Sequence, residues 1–128
     1  MSQTRPARLR NVVVLGASNK PNRYSNKAVR MLKRDGYRVL PVHPRFPEVE
    51  GVPVFASLDQ VHVPVDTLTL YLSPPRLAPL IEAIVALKPG RVIFNPGTES
   101  MPLAQRLEEA GIPYHYACTL VMLQSKQF

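Results

Sequence analysis

The sequence predicts an α/β fold, a single open and mainly parallel doubly wound sheet of five strands with helices on both faces. Three observations carry that expectation. Short β-branched runs lack polar alternation, as in Val12-Val13-Val14-Leu15, which suits strands buried on both faces. These runs alternate with stretches of helical periodicity. Nearly every run also ends in Gly, Pro or Ser, so that strand, helix and strand follow within about 30 residues as βαβ units.

The elements follow in order. Val12 to Leu15 forms the first strand and stops at Gly16. From Ser25, the spacing of Ala28, Val29 and Leu32 among basic residues describes an amphipathic helix that ends at Asp35-Gly36. Arg38 to Val42 is the second strand, closed by Pro44. Gly51 to Val54 makes a turn with a short extended piece, and Ser57 to Val61 makes one helical turn capped by Ser57. Asp66 to Leu72 is the third strand, ending at Ser73-Pro74-Pro75. A helix is expected over Arg76 to Leu87, with Pro79 tolerated in its first turn. Arg91 to Phe94 is the fourth strand. Met101 to Ala110 is a helix with Pro102 at its start and Gly111 past its end, and Pro113 to Ala117 is the fifth strand. Thr119 to Phe128 is expected to fold back on the domain without forming a core strand.

With 128 residues, the chain suits one domain, taken as residues 11–128 behind a basic, flexible arm at residues 1–10. No apolar run approaches the roughly 20 residues of a membrane span, and nothing at the amino end reads as a secretory signal. A single cysteine, Cys118, allows no internal disulfide, so a cytoplasmic setting is expected. The net charge of +7 is regional. Through Arg45 there are eleven basic residues and one acid, an excess of +10, whereas the remainder sums to −3. An anionic partner near the first third of the fold is the implication.

In open α/β sheets ligands bind beyond the carboxyl ends of the strands, where strand order reverses. The first such segment runs from Gly16 to Ser25. Gly16 permits a tight turn, Ala17 follows it, Ser18 and Ser25 offer hydroxyls, Lys20 and Arg23 offer charge, and the helix start offers free N–H groups. This is a phosphate-cradling arrangement without the spacing of G-x-G-x-x-G or of a P-loop. After the second strand, where a site for NAD would carry an acid for the ribose 2′-OH, the chain has Val42-His43-Pro44-Arg45. A cation there favours a phosphorylated ribose, as in NADP or the 3′-phospho-ADP of coenzyme A. Ser73 and the turn Asn95-Pro96-Gly97 end the third and fourth strands. The histidines His43, His62 and His115 lack metal spacing, and only His43 is placed for ligand contact. No acid/base pair emerges, so catalysis is not expected.

The loop Val14-Leu15-Gly16-Ala17-Ser18, the start Arg23-x-Ser25, the run from Gly36 to Pro44 and Asn95-Pro96-Gly97 together resemble a known group. They are similar to the small stand-alone CoA-binding proteins, whose Rossmann-like domain resembles the CoA-binding domain of the succinyl-CoA synthetase α subunit. The resemblance implies that Gly16, Ala17, Ser18, Arg23 and Ser25, with Lys20 beside them, hold the pyrophosphate of coenzyme A or an acyl-CoA. It further implies that Pro41, Val42, His43 and Arg45 flank the adenine and 3′-phosphate, and that Leu72, Ser73, Asn95, Pro96 and Gly97 border the pantetheine arm. Cys118, at the end of the fifth strand, is the group that would meet a ligand thiol. Protein partners are not specified.

Two other classes stay open on the sequence. One is a small NADP-dependent oxidoreductase or a nucleotide-binding regulatory module. The other is a nucleic-acid binder drawn by the charge, although no recognition motif accompanies it and no specific nucleic acid is expected.

Overall fold

In the computed structural model, residues 10–128 are described. The central sheet is built from β1 (Asn11–Leu15), β2 (Arg38–Val42), β5 (Thr67–Leu70), β6 (Val92–Phe94) and β7 (Tyr114–Tyr116). It is parallel throughout, in the order β2-β1-β5-β6-β7. The piece expected at Gly51 to Val54 is part of an antiparallel hairpin, β3 (Glu48–Val49) with β4 (Val52–Pro53). Phe55, just beyond it, bridges to Val42 and covers the outer edge of β2.

Alternation along β1 builds two cores. Val12 and Val14 face one side, where they meet Val29 and Leu32 of α1 (Tyr24–Arg34) and Leu123 of α5 (Thr119–Gln124). Val13 and Leu15 face the other, with Leu70, Ile84, Phe94 and Leu107. The second layer comes from α3 (Ile81–Leu87) and α4 (Met101–Ala110). Each such fully buried side chain stabilises the fold by roughly 1.5–3 kcal/mol before entropy is subtracted. β1 is therefore central in both senses, paired on both edges and covered on both faces, and the strand order reverses beside it.

One expected helix has different limits. The helical segment begins at Pro74, not Arg76, because Ser73 is extended and Pro74-Pro75 fill the first positions, where a missing N–H costs nothing. That start carries Pro79 into the interior, where its ring cannot accept the regular ladder. The chain runs as α2 (Pro74–Leu77), a 3₁₀ turn at Ala78–Leu80 and then α3. The third strand is also shorter than expected. Pairing ends at Leu70, with only the Tyr71 N–H still reaching the Leu15 carbonyl at 2.9 Å. The turn expected at Ser57 is 3₁₀ over Leu58–Gln60, with no side-chain cap. The carboxyl-terminal segment folds back as a helix.

Of the expected arm, residues 1–9 lie outside the described residues. Arg10 is half-buried and donates to the Tyr37 hydroxyl at 2.7 Å.

A buried polar knot fixes α5 to the sheet. The Asn95 amide donates to Thr69 Oγ1 (2.6 Å) and to the Leu70 carbonyl (2.9 Å), and its Oδ1 accepts from the Thr119 N–H at 2.8 Å. Thr69 and Thr119 hydroxyls pair at 2.8 Å. Asn95→Ala should lower the unfolding free energy by roughly 2–3 kcal/mol, because it strands buried donors and acceptors. Urea denaturation reads this directly, and a loss under about 0.5 kcal/mol, the range of ordinary surface changes, would refute the knot's structural weight.

Candidate functional site

The reversal of strand order places a cleft over the carboxyl ends of β1, β2 and β5. It is a chamber of about 510 Å³ walled by the loop after β1, the start of α1, Tyr71 to Ser73, and the turn after β6. A smaller and more apolar chamber of about 290 Å³ adjoins it, walled by Leu15, Val42, Pro44, Leu58 and Leu80. Gly16, His43, Arg45, Leu72 and Arg76 border both.

Gly16 sits at φ +89°, and a Cβ there would lie 2.9 Å from the Tyr71 carbonyl oxygen. Only glycine satisfies both the left-handed backbone and the contact. The N–H groups of Gly16 and Ala17 both point back to the Val42 carbonyl, at 3.0 and 3.2 Å, so the loop leaves the sheet towards the cleft. Beyond it, Ser18 Oγ accepts from the Lys20 N–H (3.1 Å), and the buried Asn26 amide holds the Ser18 carbonyl (3.0 Å). Ser25 is buried in the first turn of α1 and does not cap it. The position before the helix is Arg23, with no side-chain cap, and no acid occupies the first turn. The helix start therefore offers N–H groups and partial positive charge to the cleft.

The charge is one-sided. Lys20, Arg23, Arg45 and Arg76 line the larger chamber, and no Asp or Glu lines either one. Among the described residues none of these four side chains makes a hydrogen bond or an ion pair.

His43 is held by three contacts. Its N–H donates to the Phe55 carbonyl (3.0 Å), its Nδ1 accepts from the Arg45 N–H (3.0 Å), and its ring stacks on Phe46 at 4.2 Å. Burial first, then the Arg45 and Arg76 charges, push its pKa below 6.5. Tyr71, on the opposite wall, has a buried hydroxyl close to the Thr69 and Thr119 pair but well aligned with neither. Burial raises its pKa to about 12, so it stays a neutral phenol. Among the described residues no group of three or more His, Cys, Asp or Glu could hold a metal ion. Equally, no helix there is long and apolar enough to cross a membrane.

Of the residues singled out in the sequence, Gly16, Ala17, Ser18, Lys20, Arg23, Ser25, His43, Arg45, Leu72, Ser73, Pro96 and Gly97 come together on the larger chamber, and Val42 on the smaller. Three stand apart from both linings. Pro41 is buried in β2, Asn95 lies beneath the turn in the polar knot, and Cys118 precedes α5, near the Tyr71 hydroxyl. Tyr24, Phe46, Tyr71, Arg76 and Thr98 also line the larger chamber and are not among the residues singled out in the sequence. The signal available for Arg76 is its closeness to the strand end at Ser73-Pro74-Pro75, which lies at the cleft's edge.

A family model described as a CoA binding domain matches residues 10–124. The Thermus thermophilus protein cell-free ID.343 is 36% identical with a TM-score of 0.85, over 93% of this chain and 90% of that one. The uncharacterized protein YneT of Bacillus subtilis (strain 168) is 25% identical over 104 residues, 81% of this chain and 77% of its own. A dinucleotide-forming acetyl-coenzyme A synthetase of Ca. Korarchaeum cryptofilum shares the fold, at 18% identity and a TM-score of 0.73. The match covers 84% of this chain and 25% of the synthetase chain.

The His43 contacts make a pH prediction. A histidine whose folded pKa is depressed leaves stability intact above its unfolded value of 6.5 and removes stability as pH falls below it. NMR titration of the His43 ring should give a midpoint under 6.5, and Arg45→Gln and Arg76→Gln should each raise it. A midpoint unmoved by both changes would mean that the two guanidiniums do not face the ring.

Proposed function

The chain belongs to the family of CoA binding domains, and from that premise we propose that it binds coenzyme A, free or acylated, in the cleft beyond β1, β2 and β5. The observation that supports this most is the lining of four cations that, among the described residues, have no partner and no carboxylate beside them, next to a helix start without a side-chain cap. A ligand with several phosphate charges offsets that repulsion and occupies those N–H donors.

In this reading the diphosphate takes Ser18, the α1 N–H groups, Lys20 and Arg23. The more apolar chamber by Val42 and Leu58 takes the adenine, and Leu72, Ser73 and the Pro96-Gly97 turn border the pantetheine arm. Gly97 takes the left-handed conformation that favours glycine, at φ +90°, and a Cβ there would meet nothing within 4 Å. In this reading the protein acts as a binding module. An unpaired Cys118 suits a cytoplasmic setting.

The test is thermal and calorimetric. Coenzyme A at about 100 times its dissociation constant should stabilise the protein by roughly 2.7 kcal/mol. Arg23→Gln should weaken binding on the order of tenfold without changing the melting temperature of the free protein. No shift with coenzyme A, or a larger one with NADP, would overturn the reading, the latter in favour of a small NADP-dependent oxidoreductase.

A further inference from the structure

The outer edge of β7 is open. On its inner side the Val92 N–H donates to the Pro113 carbonyl (2.9 Å), and the Ala117 N–H donates to the Phe94 carbonyl (3.1 Å). Backbone groups alternate sides along a strand, so Pro113, His115 and Ala117 turn theirs towards β6, while Tyr114 and Tyr116 turn theirs away. Among the described residues no strand pairs with that edge, and His115 and Tyr116 are exposed. The opposite edge of the sheet is used. There the Phe55 N–H donates to the Pro41 carbonyl (2.9 Å) and the Phe55 carbonyl accepts from the His43 N–H (3.0 Å).

Apart from its shortness, β7 lacks the devices that spoil an edge for pairing. Pro113 has its carbonyl on the inner side, so its missing N–H takes nothing from the outer one. No charged residue lies from Ala110 to Ser125, the longest uncharged stretch in the chain. The rings of Tyr114 and Tyr116 are held against Phe94, at 5.6 and 5.1 Å, and the Tyr114 hydroxyl donates to Glu108 at 2.7 Å. The extended backbone is thus set before a partner arrives, which lowers the cost of ordering it. Of the four large apolar side chains that stay exposed, Tyr24 lines the cleft. The others, Met101, Tyr116 and Val121, belong to elements that begin or end near the carboxyl ends of β6 and β7.

We propose that β7 is a docking edge for a second copy of this chain. The outward residues are self-complementary about His115. In antiparallel pairing, Tyr114 of one copy exchanges backbone hydrogen bonds with Tyr116 of the other, and the exchange is repeated across the two-fold axis. Charge also favours a copy at this place. Each chain carries +7, and two of them approach with least repulsion where neither presents a cation. The axis stands perpendicular to the sheet, so the clefts open at opposite ends and both stay accessible.

Sedimentation velocity of the full chain over a concentration series should show a monomer–dimer equilibrium. In the proposed register the two His115 residues face each other, so His115→Lys sets two cations together and should weaken the dimer on the order of tenfold or more. His62→Lys makes the same change at an exposed histidine elsewhere and should leave the dimer as it is. The facing pair has no backbone hydrogen bonds, and its Cα atoms approach to about 4.5 Å, within disulfide reach. In a Cys118→Ser background, His115→Cys with an added oxidant should therefore give a covalent dimer.

A chain that stays monomeric at every concentration overturns the proposal. So does a dimer that both lysine variants weaken equally, or that neither weakens, because its interface then lies elsewhere. A dimer without the cross-link rejects the antiparallel register about His115, and the proposal falls with it. None of these outcomes depends on what the cleft binds.

Discussion

Between the end of β1 and the end of β5 there is room for a backbone and nothing more. The Tyr71 carbonyl and the Leu72 side chain close on Gly16 from the β5 side, and the Val42 carbonyl collects two N–H groups from the β2 side. The chain can leave β1 only through this gap, and it leaves in a left-handed turn that few residues other than glycine adopt. Everything that follows is aimed by that exit. Ser18 is then placed where Asn26 can hold its carbonyl, and Arg30 in turn holds both Asn26 Oδ1 (2.9 Å) and the Pro21 carbonyl (2.8 Å). The loop is braced from behind by α1, which leaves its front to the cleft.

This bracing separates two uses of positive charge. The first third of the chain carries a large basic excess, and in the structure several of those cations are already engaged. Arg30 closes the loop, Lys33 donates to the Glu50 carbonyl at 2.8 Å, Arg34 meets Asp35, and Arg10 meets Tyr37. Among the described residues Lys20, Arg23 and Arg45 have no such engagement, and Arg76 joins them from a region whose net charge is negative. The charge that matters to the cleft is thus a small selected part of the total. It is defined by the absence of partners and not by its density along the sequence.

That distinction sets how much was legible beforehand. The parallel sheet was readable because buried strands favour unbroken apolar runs, as in Val12 to Leu15 and Val92 to Phe94, while Thr67 to Leu70 alternates threonine with leucine and reads as a strand by β propensity. The glycine loop was readable because strand order reverses beside the first strand in this topology. Residues whose role depends on where an element begins were not readable to the same degree. A shift of two positions in the start of one helix moved Pro79 from a tolerated place to a breaking one. Phe46 was passed over because its weight lies in a ring contact with His43, which spacing does not register.

Asn95 shows the same limit from the other side. As part of Asn95-Pro96-Gly97 it belongs by resemblance to the ligand-facing turn, yet the residue is 3% exposed and its side-chain hydrogen bonds go to Thr69, Leu70 and Thr119. Its carbonyl also accepts from the Thr98 hydroxyl at 2.7 Å and the Thr98 N–H at 3.0 Å, which folds the turn over on itself. A side chain used up in this way acts on the cleft through what it positions. It fixes Pro96, Gly97 and Thr98 along one wall, and through Thr119 it fixes the start of α5, with Cys118 just before it and the Tyr71 hydroxyl close by. An asparagine suits this place because a single planar amide donates to β5 and accepts from α5 at once. A leucine of similar size could do neither, and an aspartate would bring a buried charge with no cation beside it.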